Sequence, residues 1–155
     1  MAYYGIKIKI GNTATFETAT KYNIYVQDFP FIPVPIKQKN VFSQSWYDEN
    51  GDDEYLPATP TYEPIIITIP FVYKGLLNTA ITNIQSFIAE LQGVEFKMYD
   101  TYSKVGRQKC RLVSYDDSKS TMVRQGYAES DATQKVLAAF ALEIKINDPV
   151  TNITL

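Results

Sequence analysis

Five carboxylates crowd around a single turn, Asp48, Glu49, Asp52, Asp53 and Glu54, with Trp46 and Tyr55 flanking them. Clustered acids can hold a hard cation or supply the acid and base of glycoside hydrolysis. A calcium loop needs oxygen ligands at set spacings and a glycine at the sixth position; counting from Asp48, Gly51 falls fourth, so the pattern fails. Hydrolysis needs two carboxyl groups held apart across a cleft, whereas neighbouring acids on a hairpin tip form a solvated turn. The chain has no histidine, which removes His-based triads, His-ligated metals and the commonest proton shuttle near neutral pH. Cys110 is the only cysteine, so neither an internal disulfide nor a cysteine-rich zinc site is possible. No catalytic, metal or cofactor site is expected, and the chain does not read as an enzyme.

Charge of the other sign gathers at Arg107, Lys109 and Arg111. In a strand these three would line one face together with Val113. Glu95 or another acid of the same sheet could pair with them across strands. Alternatively, this basic ladder could meet the acidic hairpin of a neighbouring subunit, an arrangement that fixes register and partner choice in an assembly. The stretch FPFIPVPI, Phe29 to Ile36, sets three prolines among large apolar residues and favours extended chain. Phe29, Phe31 and Ile32 then either pack on their own domain or contact a neighbour, because leaving them bare on a monomer is unfavourable.

These groups have to be positioned by a mainly β framework. Tyr4, Ile6, Ile8 and Ile10 alternate with polar residues as a first strand, and Tyr22, Ile24 and Val26 do so as a second. Thr13 to Thr20 is ambiguous. Val41 to Tyr47 predicts a strand that turns at Asn50-Gly51, the strongest hairpin signal in the chain. Ile65 to Tyr73 alternates with both faces largely apolar, and Pro70 marks an edge, bulge or bend. Past Gly75 the spacing changes to that of a helix over about 77–91, with Leu77, Ile81, Ile84, Ile88 and Leu91 as its apolar stripe, Asn78 as N-cap and Gly93 as its end. Val94 to Met98 and the returning 105–114 segment predict a hairpin. Ser114 to Ser120 reads as turn and Met122 to Tyr127 as a short strand. In the last strand Val136, Ala138, Phe140, Leu142, Ile144 and Ile146 share one face.

With 155 residues, 45% hydrophobic and 14% aromatic, there is ample material for one core. The expectation is a mainly β (α+β) fold, a β-sandwich or split barrel of about eight strands with one helix. It would be one domain over 1–155, with extended loops at about 28–40 and 48–64. A net charge of −2 gives no reason to expect sequence-specific nucleic-acid binding. The longest apolar run, Val136 to Leu142, is too short for membrane insertion, and the first residues lack the pattern of a signal peptide.

The run ITIPFVYKGLLNTAITNIQSFIAELQGVEFKMYD, Ile67 to Asp100, followed by GRQKCRLVSYDD, Gly106 to Asp117, resembles the strand-helix-hairpin portion of phage tail-tube-like proteins. Within that group it is most similar to distal tail (baseplate hub) proteins. The likeness covers about a third of the chain, Ile65 to Asp117. It departs from the usual distal tail protein in the proline-rich Phe29 to Ile36 segment and in having no sizeable C-terminal carbohydrate-binding or arm domain. The resemblance implies a structural virion protein of a phage or prophage, forming a ring, of six copies by analogy, around the DNA channel as hub, tube or tail-completion ring. Its partners would be itself and other tail proteins (tube, hub or tape measure), and it would be assembled in the bacterial host cytoplasm. Subunit contacts are then expected at Phe29, Phe31, Ile32, Trp46, Asp52, Asp53, Glu54, Arg107, Lys109 and Arg111. The alternative is a monomeric β-sandwich carbohydrate-binding module that stacks sugars on Trp46, Tyr47 and Tyr55.

Overall fold

A computed structural model describes residues 4–26, 36–124 and 134–155, so Phe29, Phe31 and Ile32 lie outside the described residues. Among the described residues there are nine strands and two helices, in the order β1 (Lys7–Ile10), β2 (Phe16–Glu17), α1 (Thr18–Tyr22), β3 (Ile24–Val26), β4 (Phe42–Ser45), β5 (Asp52–Tyr55), β6 (Ile65–Leu76), α2 (Leu77–Leu91), β7 (Glu95–Asp100), β8 (Val105–Arg124) and β9 (Lys135–Ile146). Seven strands form one antiparallel sheet in the order β2-β1-β7-β8-β9-β6-β3, while β4 and β5 stand apart as a two-stranded ribbon. The sheet curls until its ends approach. Tyr4, just before β1, bridges to Val26 of β3, and the Val26 N–H donates to the Tyr4 carbonyl at 2.7 Å. This is the expected mainly β fold in half-barrel form.

The period-two runs become the inner face of the curl. Ile67, Ile69, Phe71 and Tyr73 of β6 meet Ile144, Leu142, Phe140 and Ala138 of β9 in an unbroken register from Ile65↔Ile146 to Leu76↔Lys135, and all eight are buried. Each large side chain so buried contributes about 1.5–3 kcal/mol. The other face of β6 is more open than its sequence suggests. Ile66 is 57% exposed and Val72 is buried, because among the described residues β3 covers β6 at Phe71, Val72 and Tyr73 alone. Pro70 pairs in register with Ala141 of β9 and lies one residue beyond the last described β3 pair, Val26↔Phe71.

Helix α2 spans the predicted residues but is rotated from the predicted stripe. Ala80, Phe87 and Leu91 are its buried residues, while Ile81 is 59% exposed. Phe87 decides the rotation. Its ring lies 5.4 Å from that of Phe71 and 5.7 Å from that of Tyr22, so the largest apolar side chain of the helix takes the core. Ile81 is left at the rim of an apolar cleft of about 320 Å³ beside Tyr115 and Phe140. The N-cap is Leu76 rather than Asn78 and makes no side-chain cap. Instead the Leu77 N–H donates to the Gln134 carbonyl at 2.7 Å.

Two further expectations are corrected. The ambiguous Thr13 to Thr20 stretch is β2 followed by a second helix, α1, which takes Tyr22 out of the predicted second strand. Lys21 of α1 holds Glu90 of α2 at 2.7 and 2.9 Å, and the Tyr22 hydroxyl donates to the same carboxylate. The Lys21–Glu90 hydrogen bond is the main cause raising the Lys21 pKa, whereas burial leads in raising that of Tyr22. Nor does Ser114 to Ser120 break the strand: β8 runs on to Arg124, absorbing the extra residues in a register shift between Asp116↔Ala141 and Thr121↔Ala139.

Candidate interaction surfaces

Asp48, Glu49, Asp52, Asp53 and Glu54 lie on an arm. The β4–β5 ribbon pairs Phe42 with Tyr55, Ser43 with Glu54, Gln44 with Asp53 and Ser45 with Asp52. Nearer the body the same two chain segments pair again. The Lys39 N–H donates to the Thr61 carbonyl at 2.9 Å, the Glu63 N–H donates to the Lys37 carbonyl at 2.8 Å, and Lys37 faces Glu63 at 3.5 Å. The expected loops at about 28–40 and 48–64 therefore contribute to one long hairpin, residues 37–63, with strand where the second loop was expected. The hairpin signal at Asn50-Gly51 marks its tip, but the connection is six residues, 46–51, and Gly51 rather than Asn50 takes positive φ.

This arm stands in solvent. Phe42 is 71% exposed, Tyr47 fully exposed, and Trp46, Tyr55 and Leu56 are exposed as well. Its extensive contacts are between its own two strands. Tyr55 sits opposite Phe42, at the far end of the ribbon from Trp46 and Tyr47. The five acids line an open ribbon, and among the described residues no three acidic or cysteine side chains converge where they could share a metal ion.

The cation ladder is broken by a bulge. Phe96 faces Cys110 and Met98 faces Arg107, so Lys97 alone opposes both Gln108 and Lys109. Lys109 takes φ 54° to make this possible. The extra residue turns Arg107 to the opposite face from Arg111. Half-buried, Arg107 directs its guanidinium to the carbonyls of Gly106 and Thr151, at 3.2 and 3.3 Å. Arg107, Lys109 and Arg111 thus do not share a face, contrary to the alternation in sequence.

The outer face nevertheless gathers cations, from other strands. Lys9 of β1 faces Lys97 of β7 directly. Arg111 of β8 sits between Glu95 of β7 and Lys145 of β9. With Lys109 exposed at the bulge, five cations occupy neighbouring positions against Glu95 and Glu143. Glu143 is engaged by the Ser114 hydroxyl at 2.7 Å. The ion pairs among the described residues are Lys21–Glu90 and Lys37–Glu63, so Arg111 is a register neighbour of Glu95 but not a contact pair. Lys9, Lys97 and Lys145 were not among the expected contact residues. Each alternates with buried apolar neighbours, and only the strand order brings them together.

The C-terminal segment packs beside this face. The Gly106 N–H donates to Asn152 Oδ1 at 2.7 Å, and the Ile153 N–H donates to the Gly106 carbonyl at 3.3 Å. The amide of Gln108 donates to Asp148 Oδ2 at 2.7 Å, while Asp148 Oδ1 accepts the N–H groups of Val150 and Thr151. The Gln108 bond leads in holding the Asp148 carboxyl down at about 2. Burial pushes the Cys110 thiol up to about 12, which makes it a packing group rather than a nucleophile.

Compared with models of known protein families, the chain matches none, and no curated protein sequence matches it. Among the described residues no helix is long and apolar enough to cross a membrane.

Proposed function

We propose that the chain is a structural subunit of a phage tail that assembles into a closed ring, as a hub, tube or tail-completion ring. The arm of residues 37–63 is the observation that carries this reading. A two-stranded ribbon is marginal in water by itself, and this one exposes Phe42, Trp46, Tyr47, Tyr55 and Leu56 together. Aromatic area of that size, presented on a projecting hairpin, is suited to burial against another protein. A helix directly after the long strand β6, followed by the β7–β8 hairpin, is the element order that the resemblance over Ile65 to Asp117 implies. The reading needs no reaction.

Light scattering of the full chain across protein and salt concentrations, with negative-stain imaging of large species, tests it. Closed rings that disperse when Phe42, Trp46 and Tyr47 are replaced by serine are the expected result. A chain that stays monomeric at every concentration, and binds glycans through Trp46 and Tyr47, would replace this reading with a carbohydrate-binding module.

A further inference from the structure

We infer that the outer sheet face bearing Lys9, Lys97, Lys109, Arg111 and Lys145 is the dock for the acidic arm of a second copy of this chain. The inference rests on the ring reading above and names the two surfaces that meet.

Charge complementarity is the first argument. Residues 41–56 contain five acids and no cation. Among the described residues Lys9, Lys97, Lys109, Arg111 and Lys145 of this face neighbour Glu95 and Glu143, the latter already hydrogen-bonded to Ser114, with Asp148 beside Lys109 and bound to Gln108. Among the described residues no ion pair joins the two within a protomer. Both surfaces thus keep their charge for something else.

The second argument is the arm's root. Pro60, Thr61 and Tyr62 line a cleft of about 290 Å³ together with Lys109 and Asp148. From the Gln38–Tyr62 bridge to Trp46 the arm runs eight residues, on the order of 25 Å of extended chain. An arm rooted at the edge of the cationic face but standing clear of it reaches a neighbour. Such a contact joins two different surfaces, arm to face, and heterologous contacts of this kind close into rings when the rotation permits.

The strand pairing supplies a third argument. Lys9 directly opposite Lys97 is an unfavourable pair in an isolated protomer. An incoming row of carboxylates adds attractions to both lysines that offset their repulsion.

Charge reversal on the full-length chain tests the proposal. Asp52→Lys/Asp53→Lys/Glu54→Lys makes the arm basic, and Lys97→Glu/Arg111→Glu/Lys145→Glu makes the face acidic. Each variant alone is expected to raise the concentration for half-assembly by roughly a hundredfold or more, since several attractive pairs become repulsive. Mixing the two variants is expected to restore assembly, because each then offers the surface the other needs; restoration also shows that both chains are folded. The milder Lys97→Gln/Arg111→Gln is expected to shift assembly in the same direction by a smaller factor.

Rings unaffected by either reversal would overturn the docking and leave the ring reading standing. Folded variants that disperse but do not recover on mixing would likewise overturn it. A face-reversed chain that still forms rings yet no longer retains short duplex DNA would assign the face to nucleic acid instead. A wild-type chain that is monomeric throughout would remove the ring and the docking together.

Discussion

Lys9 and Lys97 face each other directly across β1 and β7, flanked by the Ile8–Met98 and Ile10–Phe96 pairs that point into the core. Like charges in directly opposed positions oppose pairing, and replacing one by an acid yields roughly 0.2–1 kcal/mol. Lys97→Glu is therefore expected to make the isolated protomer more stable, by a higher urea midpoint at unchanged slope. It is also expected to weaken assembly. A variant that gains neither stability nor a higher assembly threshold would show that the opposed lysines are well hydrated and inconsequential.

The bulge residue Lys109 adopts a left-handed conformation at φ 54°, which costs a side-chain-bearing residue about 1 kcal/mol. Lys109→Gly should stabilise the protomer by up to about that amount and leave the Phe96–Cys110 register intact. Amide exchange at Cys110 and Arg111 reads the register. Lys109→Val is expected to move stability the other way, since a β-branched residue tolerates this region poorly.

Gly106 is the anchor of the C-terminal segment. A Cβ there would lie 2.1 Å from the Ile153 carbonyl oxygen, a backbone atom that cannot swing aside. Gly106→Ala is expected to cost about 1–3 kcal/mol and to expose residues 147–155 to protease. Unchanged protease resistance would show that the segment relaxes around the methyl.

Asp148 gives that segment its pH dependence. Its carboxyl is held down at about 2, first by Gln108 and then by the Val150 and Thr151 amides, so the folded chain binds this proton less tightly than the unfolded chain does. The contribution is complete above about pH 4 and is lost as pH falls through about 2. Asp148→Asn should remove roughly 1 kcal/mol at neutral pH, the size of a charge-assisted bond near solvent. Between pH 4 and 2 the variant should lose less stability than the wild type. Parallel acid curves for the two proteins would exclude Asp148 as a contributor.

Legibility in the sequence followed how local the signal was. The alternation from Val136 to Ile146 specifies both an element and a buried face, and β9 has that face. The limits of α2 could be read for the same reason, but not its rotation, because Phe87 outweighs Ile81 only once Phe71 and Tyr22 are in place. The arm's base was hidden because Lys37–Lys39 and Thr61–Glu63 pair through backbone groups and polar side chains, with no apolar period. The cation ladder was misread for one reason. A bulge is defined by counting residues against a partner strand, and a single strand's sequence contains no partner. The outer-face cluster is further removed still, since Lys9 and Lys145 become neighbours of Lys97 and Arg111 through strand order alone.

The bridge between Tyr4 and Val26 sets an order of events for folding. Strands β7, β8 and β9 follow one another as a meander whose hairpins close short loops, so they can form early. Strand β1 has to close a far longer loop, because its partner β7 lies about ninety residues away, as Lys7↔Tyr99. The Tyr4–Val26 bridge in turn needs β3 in place on β6. The N-terminal strand is thus expected to join the half-barrel late, its Ile8 amide gaining protection from exchange after those of Leu142 and Ile144.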